Sequence, residues 1–161
     1  MKCEMADAWK IRMTAEVAEE IRRHGADTYP HECCGALLGR GGAGEEKEVL
    51  QREIVGVLAL TNQREDSPRN RFSVAPRDVI EADRTAQGRG LEVVGWYHSH
   101  PDHPARPSEY DREHAWPWYS YVIVKVENGE AREMTSWRLR EDRGGYEEES
   151  IEIVSGASAR P

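Results

Sequence analysis

The alternation of apolar and polar positions predicts two long helices. Apolar residues recur at helical spacing within 17–21, directly after Thr14, which is a favoured N-cap residue. This pattern predicts a first helix that begins after Thr14 and ends near Gly25. A second helix is predicted from Pro76, because proline is favoured at the first helical position, to Gly88.

Apolar runs bounded by turn residues predict strands between and after these helices. The predicted strands cover residues 11–13, 35–39, 48–60, 91–97, 119–126 and 131–139. Asn128-Gly129 between the last two is a strong signal for a two-residue hairpin turn, and Ser108 predicts the start of a short helix. Residues 41–46, 62–71 and 155–161 are predicted as a turn, a loop and a frayed end. The intermixed order favours a mixed β-sheet flanked by helices.

Composition indicates one soluble domain over residues 1–161. The chain is 38% hydrophobic and 32% charged, and its apolar runs are too short to span a membrane. The first residues lack the features of a signal peptide, so we expect a cytoplasmic protein. A net charge of −8 argues against nonspecific binding to nucleic acid or to an anionic membrane. Cys3, Cys33 and Cys34 show no CxxC spacing and are predicted to be reduced.

Residues 98–111, HSHPDHPARPSEYD, contain candidate metal ligands. His98 and His100 are two apart at the end of a predicted strand, so both imidazoles project from one face. Asp111 falls in the first turn of the helix predicted after Ser108 and can add a carboxylate oxygen. Two histidines and one carboxylate leave the fourth tetrahedral position open, as in catalytic zinc sites.

Spacing alone leaves other interpretations of this segment open. An HxH pair near a loop is common, and an aspartate inside a helix often only interacts with the helix dipole. Ser108 alone is more typical of an N-cap than of a catalytic group. His103 and His114 lie close enough in sequence to be rival ligands.

Three other catalytic patterns are not supported. His31-Glu32 begins like HExxH, but Gly35 stands where the second histidine belongs. The H-x-E and P-C-x-x-C segments of zinc deaminases are absent. A cysteine peptidase based on Cys33 or Cys34 has no histidine partner that the sequence identifies.

The pattern H-x-H, seven residues, S, two residues, D fits His98, His100, Ser108 and Asp111 without a gap. Upstream, Glu32 in HECCGALLG stands where the JAMM motif has its acid. In these motifs the chain resembles the JAMM, or MPN+, zinc metalloproteases over roughly residues 10–154. HSHPDHPARPSEYD followed by AWPWYSYVIV looks like the compact prokaryotic members.

The resemblance implies a fold, a metal and a reaction. The fold would be a curved mixed β-sheet flanked by helices, similar to that of cytidine deaminases. One Zn²⁺ per chain would be held by His98, His100 and Asp111, with Glu32 as general base and acid and Ser108 binding the oxyanion. The family hydrolyses amide or isopeptide bonds, and the expected substrate is the bond after the C-terminal Gly-Gly of a ubiquitin-like or sulfur-carrier protein.

Two other functional classes fit the sequence less well than an enzyme does. A non-catalytic MPN scaffold is disfavoured because the five motif residues are all present. A DNA-associated protein of the same fold is disfavoured by the acidic charge. The identity of the carrier and the oligomeric state stay open. Trp116, Trp118 and Tyr119 either line a partner-binding surface or belong to the core.

Overall fold

The computed structural model describes residues 9–41, 51–62 and 75–155, and in it seven β-strands close into a barrel. The elements are β1 (Lys10–Thr14), α1 (Ala15–Thr28), β2 (Cys34–Arg40), β3 (Gln51–Leu60), α2 (Pro76–Gly88), β4 (Glu92–Pro101), α3 (Glu109–Glu113), β5 (Ser120–Glu127), β6 (Glu130–Leu139) and β7 (Tyr146–Val154). The strand order is β1-β3-β2-β4-β5-β6-β7, and β7 pairs with β1. The β1–β3, β1–β7 and β4–β5 pairs are parallel and the others antiparallel. The expected curved mixed sheet is therefore confirmed.

Helix α1 provides the centre of the main core. Thr14 Oγ1 accepts a hydrogen bond from the Val17 N–H at 3.1 Å, which confirms the predicted N-cap. Val17, Ala18 and Ile21 belong to one apolar cluster that includes buried or partly buried residues from all seven strands. Because every strand contributes to this cluster, the curved sheet wraps around α1 and removes its apolar face from water.

Helix α2 packs on the opposite side of β2 and β4. It begins at Pro76, as predicted, and its Ala82 and Ala86 form a second apolar cluster with residues of both strands. Trp96 on β4 packs against this cluster. Since alternate residues of a strand share a face, His98 and His100 lie on the same side of the sheet as Trp96.

The last strand, β7, was missed by the sequence interpretation. Its alternation is obscured because Tyr146–Val154 contains four glutamates. Glu149 is buried, and its carboxylate accepts hydrogen bonds from Arg138 Nε at 2.8 Å and Ser136 Oγ at 2.9 Å. Glu149 can be buried because Arg138 and Ser136 on β6 bind its carboxylate. The sequence of β7 alone does not show that these partners exist.

Most predicted boundaries agree with the structure within one or two residues, but α1 continues to Thr28 rather than ending near Gly25, and β4 also extends further. It continues to Pro101 because β5 pairs with it in parallel through the motif, so both histidines lie within the strand. Asn128 and Gly129 have φ of 52° and 84°, as expected for the predicted hairpin turn. The predicted strand residues 48–50, and most of the predicted turn, loop and frayed end, lie outside the described residues. No helix in the described ranges has the length and apolarity to cross a membrane.

Candidate active site

Three donor atoms from β4 and α3 form a compact triangle. His98 Nε2 and His100 Nε2 are 3.2 Å apart, and each lies 3.3 Å from Asp111 Oδ2. Zinc bonds of about 2.0–2.1 Å in tetrahedral geometry place neighbouring ligand atoms about 3.3–3.4 Å apart. The two histidines are 2% and 6% exposed, so the donors are held within the fold. This donor set therefore fits one zinc ion and leaves a position for a further ligand.

The rival histidines lie outside this triangle. Within the described ranges, His98, His100 and Asp111 are the only set of three potential ligands that converge. The His114 ring stacks on Tyr110, with ring centroids 4.0 Å apart, and its Nδ1 is 2.8 Å from the Tyr110 carbonyl oxygen. The structure thus separates the expected ligands from their neighbours in sequence.

The loop after β4 orients His100. Its Nδ1 lies 2.8 Å from the Pro104 carbonyl, and because a carbonyl only accepts, Nδ1 carries the proton. In the neutral ring the lone pair is then on Nε2, the atom in the triangle. The loop itself is attached to β6, because Thr135 Oγ1 donates to the Ala105 carbonyl at 2.7 Å and accepts from Trp137 Nε1 at 2.8 Å.

A capping box places the Asp111 carboxylate at the triangle. Ser108 Oγ accepts from the Asp111 N–H at 3.1 Å, and the Ser108 N–H donates to Asp111 Oδ2 at 2.8 Å. Burial alone raises the pKa of Asp111, but the adjacent imidazoles of His98 and His100 outweigh this effect and hold the pKa well below its usual range. The carboxylate is therefore ionised, as a metal ligand requires.

Glu32 approaches the same region from the neighbouring strand. It lies two residues before β2 and is only 4% exposed. Cys34 lies opposite His98 in the antiparallel β2–β4 pair, so continuing the register by two residues places Glu32 level with His100 on the same face. Asn62 Nδ2 donates to the Glu32 carbonyl at 3.1 Å. Glu32 is outside the three-atom triangle.

An aromatic cavity of about 320 Å³ adjoins the triangle. Besides His98 and Asp111, most of its wall consists of Trp96, Tyr110, Trp116, Tyr119, Tyr121 and Tyr146. The sequence interpretation left open whether the aromatics near 116–119 are surface or core, and it did not predict a cavity. The concentration of aromatic residues in YDREHAWPWYSY, beside the ligand motif, was the available signal.

The two described cysteines do not form a second catalytic centre. Cys33 and Cys34 are free and buried. Burial raises the pKa of the Cys33 thiol to about 11 and that of Cys34 to about 12. Both thiols are thus protonated near neutral pH and are poor nucleophiles. This chemistry disfavours the cysteine-peptidase alternative.

Comparisons with known proteins agree with the geometry. The family model for prokaryotic homologs of the JAB domain matches residues 14–140. A desampylase of Haloferax volcanii is 29% identical over 138 residues, which cover 82% of this chain and 93% of that protein. A probable TtuB-protein conjugate cleaving protease of Thermus thermophilus is 32% identical over 105 residues, which cover 65% of this chain and 63% of that protein.

A solved structure shows the same fold over nearly the whole chain. The solution structure of a protein from Salinibacter ruber is 39% identical and superposes with a TM-score of 0.67. The match covers 93% of this chain and 94% of that chain. From the family model, this similarity and the HxH–Ser–Asp motif, the chain belongs to the JAMM family as one of its prokaryotic JAB-domain members.

Proposed function

We propose that this protein is a zinc-dependent hydrolase that cleaves the amide bond after the C-terminal Gly-Gly of a ubiquitin-like or sulfur-carrier protein. One zinc ion per chain would be held by His98, His100 and Asp111. The observation that carries the proposal is the triangle of their donor atoms, with edges of 3.2–3.3 Å. The ionised carboxylate and the oriented imidazole support the same assignment.

Two further residues would carry out the proton transfer and bind the developing charge. When bound, a zinc ion would supply Lewis acidity and would make a water molecule at this site acidic enough to ionise at about pH 7. Glu32 takes the proton from the attacking water and passes it to the leaving amine. Ser108 Oγ accepts a hydrogen bond from Asp111, so its own hydrogen remains free to donate to the carbonyl oxygen of the substrate as negative charge develops there.

The substrate class is supported by the relatives and by the position of Glu32. The chain covers 93% of a desampylase, and a second relative is named as cleaving TtuB-protein conjugates. Among the described strands, residues 56–60 of β3 pair only with β2, so an extended tail near Glu32 and Asn62 could bind by adding as a strand along the other edge of this part of β3. Glycine at its end places no side chain against the floor of this groove. The folded body of the carrier then supplies most of the affinity, so short peptides should be poor substrates.

A scaffold function is the alternative. A non-catalytic member of the family has no need of converging, buried metal ligands, whereas the three donors here are buried or nearly so and closely spaced. The triangle therefore favours the enzyme.

The experiment compares three substrates with purified protein. They are a carrier–amino acid conjugate, the same conjugate with alanine as the last carrier residue, and an unrelated peptide, and products are measured by mass spectrometry. We expect cleavage of the first alone. Glu32→Gln is the matched control, because it keeps the side-chain shape and removes the base: turnover should fall by about 10²- to 10⁴-fold while zinc is retained.

Two outcomes would contradict the proposal. Equal cleavage of all three substrates would identify a general peptidase, and the carrier assignment would be abandoned. Full turnover by zinc-loaded Glu32→Gln would refute Glu32 as the proton carrier.

A further inference from the structure

The aromatic cavity and Glu32 lie on opposite sides of the strand that carries the histidines. Strand β4 pairs with β2 along one edge and with β5 along the other. Glu32 and Asn62 belong to the β2–β3 side, whereas none of the described residues lining the cavity comes from β2 or β3. An amide whose carbonyl lies at the triangle extends to both sides. One half of the substrate therefore faces Glu32 and Asn62, and the other half faces the cavity.

The volume of the cavity indicates which half it receives. Under the proposed function the acyl half ends in Gly-Gly, which has no side chain to occupy about 320 Å³. That volume is near the lower limit of about 300–1,000 Å³ for sites that bind small organic molecules. It suits one large side chain and is too small for a folded domain. The amine half of the substrate is thus the half that uses the cavity.

The rings in the wall hold one another in place. Trp96–Tyr119, Tyr119–Tyr121 and Tyr121–Tyr146 make edge-to-face contacts with centroids 5.6, 6.4 and 6.4 Å apart. The backbone N–H of Trp116 donates to the Tyr121 hydroxyl at 2.8 Å, yet the Trp116 residue is 53% exposed. A cavity built from mutually supported rings is formed before a ligand arrives, and the exposed indole gains burial when a ligand covers it.

The wall of the cavity contains few charged groups. Among the described lining residues, Asp111 is the only aspartate, glutamate, lysine or arginine, and it faces the two histidines. The Arg143 guanidinium is not a lining group, and it lies 5.9 Å from the centroid of the Trp116 ring. Burial raises the pKa of the Tyr119, Tyr121 and Tyr146 hydroxyls, so they stay neutral. A charged side chain placed among these rings would lose much of its hydration, which is unfavourable.

We propose that this cavity binds the side chain on the amine side of the scissile bond and selects aromatic and large aliphatic residues there. The proposal rests on the proposed function for the position of the Gly-Gly tail. It defines a specificity pocket for the leaving group, distinct from recognition of the carrier.

The test varies only the leaving residue. Carrier conjugates with the same Gly-Gly end are prepared with Phe, Leu, Ala or Asp as the leaving amino acid, and with Lys attached through Nε. We expect kcat/KM for Phe and Leu to exceed that for Ala by about tenfold or more, since a hydrophobic pocket discriminates by such factors. Asp should be cleaved more slowly than Ala.

Two variants and a control locate the selectivity. Trp116→Ala should reduce the ratio of kcat/KM for Phe to that for Ala, and Val79→Phe, which narrows the cavity from α2, should reduce it further. Ile80→Ala is the matched control, because Ile80 is 58% exposed on the same helix and is not among the lining residues. It should leave the ratio unchanged. Circular dichroism verifies that each variant is folded.

A binding measurement keeps the two proposals separable. Phenylalaninamide should bind zinc-loaded wild-type protein about tenfold more tightly than alaninamide, and Trp116→Ala should remove the difference. Equal kcat/KM for Phe, Ala and Asp, or fastest cleavage of the Lys Nε conjugate, would overturn the cavity assignment while the hydrolase assignment stands. If no conjugate is cleaved, the proposed function fails. The titration with the two amides then tests the cavity assignment by itself. Equal binding of phenylalaninamide and alaninamide would overturn the cavity assignment too.

Discussion

Replacement of Thr135 by valine would test how the loop after β4 supports the proposed zinc site. Thr135 Oγ1 donates to the Ala105 carbonyl at 2.7 Å, and the preceding carbonyl, that of Pro104, accepts the Nδ1–H of His100 at 2.8 Å. Because the two carbonyls are consecutive, the hydroxyl fixes the segment that orients the imidazole. Valine has nearly the same shape as threonine and lacks only this hydroxyl.

The structure sets the size of the expected effect. The substitution leaves the Ala105 carbonyl without this donor and Trp137 Nε1 without the acceptor that now lies 2.8 Å away. Unsatisfied groups of this kind cost about 1–3 kcal/mol. For a chain of this size each kcal/mol lowers the melting temperature by about 2–4 °C. Loss of a direct partner of a metal-bound histidine weakens metal binding about 10- to 100-fold. Thr135 acts one residue further away, so we expect the lower end of that range, about tenfold.

The assay measures zinc affinity by competition with a chromophoric chelator, together with thermal unfolding. Thr135→Ser keeps the hydroxyl and should restore affinity. Thr28→Val is the matched control: Thr28 Oγ1 donates to the His24 carbonyl at 3.0 Å at the end of α1, so its loss should affect stability and leave zinc affinity intact. Wild-type zinc affinity in Thr135→Val, accompanied by the expected destabilisation, would refute the role of this loop anchor.

Three further predictions concern the ligands, the cap and the sheet. His100→Ala and Asp111→Ala each remove one donor of the triangle, so protein purified without added metal should contain far less zinc by mass spectrometry; unchanged zinc in both would place the metal elsewhere. Ser108→Ala removes the proposed oxyanion donor and should lower kcat by about 10²- to 10³-fold. The substitution also removes the acceptor of the Asp111 N–H, so the free energy of unfolding measured in urea should fall by about 0.5–2 kcal/mol. An unaltered kcat would exclude the oxyanion role of Ser108. Gly35→Ala places Cβ 2.2 Å from the ring of Tyr97 and should destabilise the protein by about 1–3 kcal/mol, so wild-type unfolding would contradict this close approach of the ring to the strand.

Features that depend on local sequence could be predicted. Thr14 and Pro76 mark the starts of α1 and α2 because capping and proline preferences act within one turn. The convergence of the proposed ligands was also predictable. Strand alternation puts both histidines on one face, and Ser108 positions Asp111 through a capping box within four residues.

Features that depend on distant partners could not be predicted. Glu149 is buried because Arg138 and Ser136 lie on the adjacent strand, a pairing that the acidic stretch around it does not reveal. The cavity was unforeseen for a related reason. Trp116 is half exposed and Tyr121 is nearly buried, although both are aromatic residues in the same stretch of sequence. Only the packing of α3 and the neighbouring strands makes this difference.

The seam between β1 and β7 has a consequence for biosynthesis. These strands pair in parallel from Lys10 opposite Ser150 to Thr14 opposite Val154, and the Arg12–Glu152 contact across the seam joins residues 140 positions apart. Contacts of such separation form late and slow the folding reaction. During synthesis every other strand of the barrel leaves the ribosome before β7, so the nascent chain is an open sheet with unpaired edges at β1 and β6. Exposed edges of this kind promote aggregation, and the growing polypeptide is therefore most vulnerable to it just before β7 is translated.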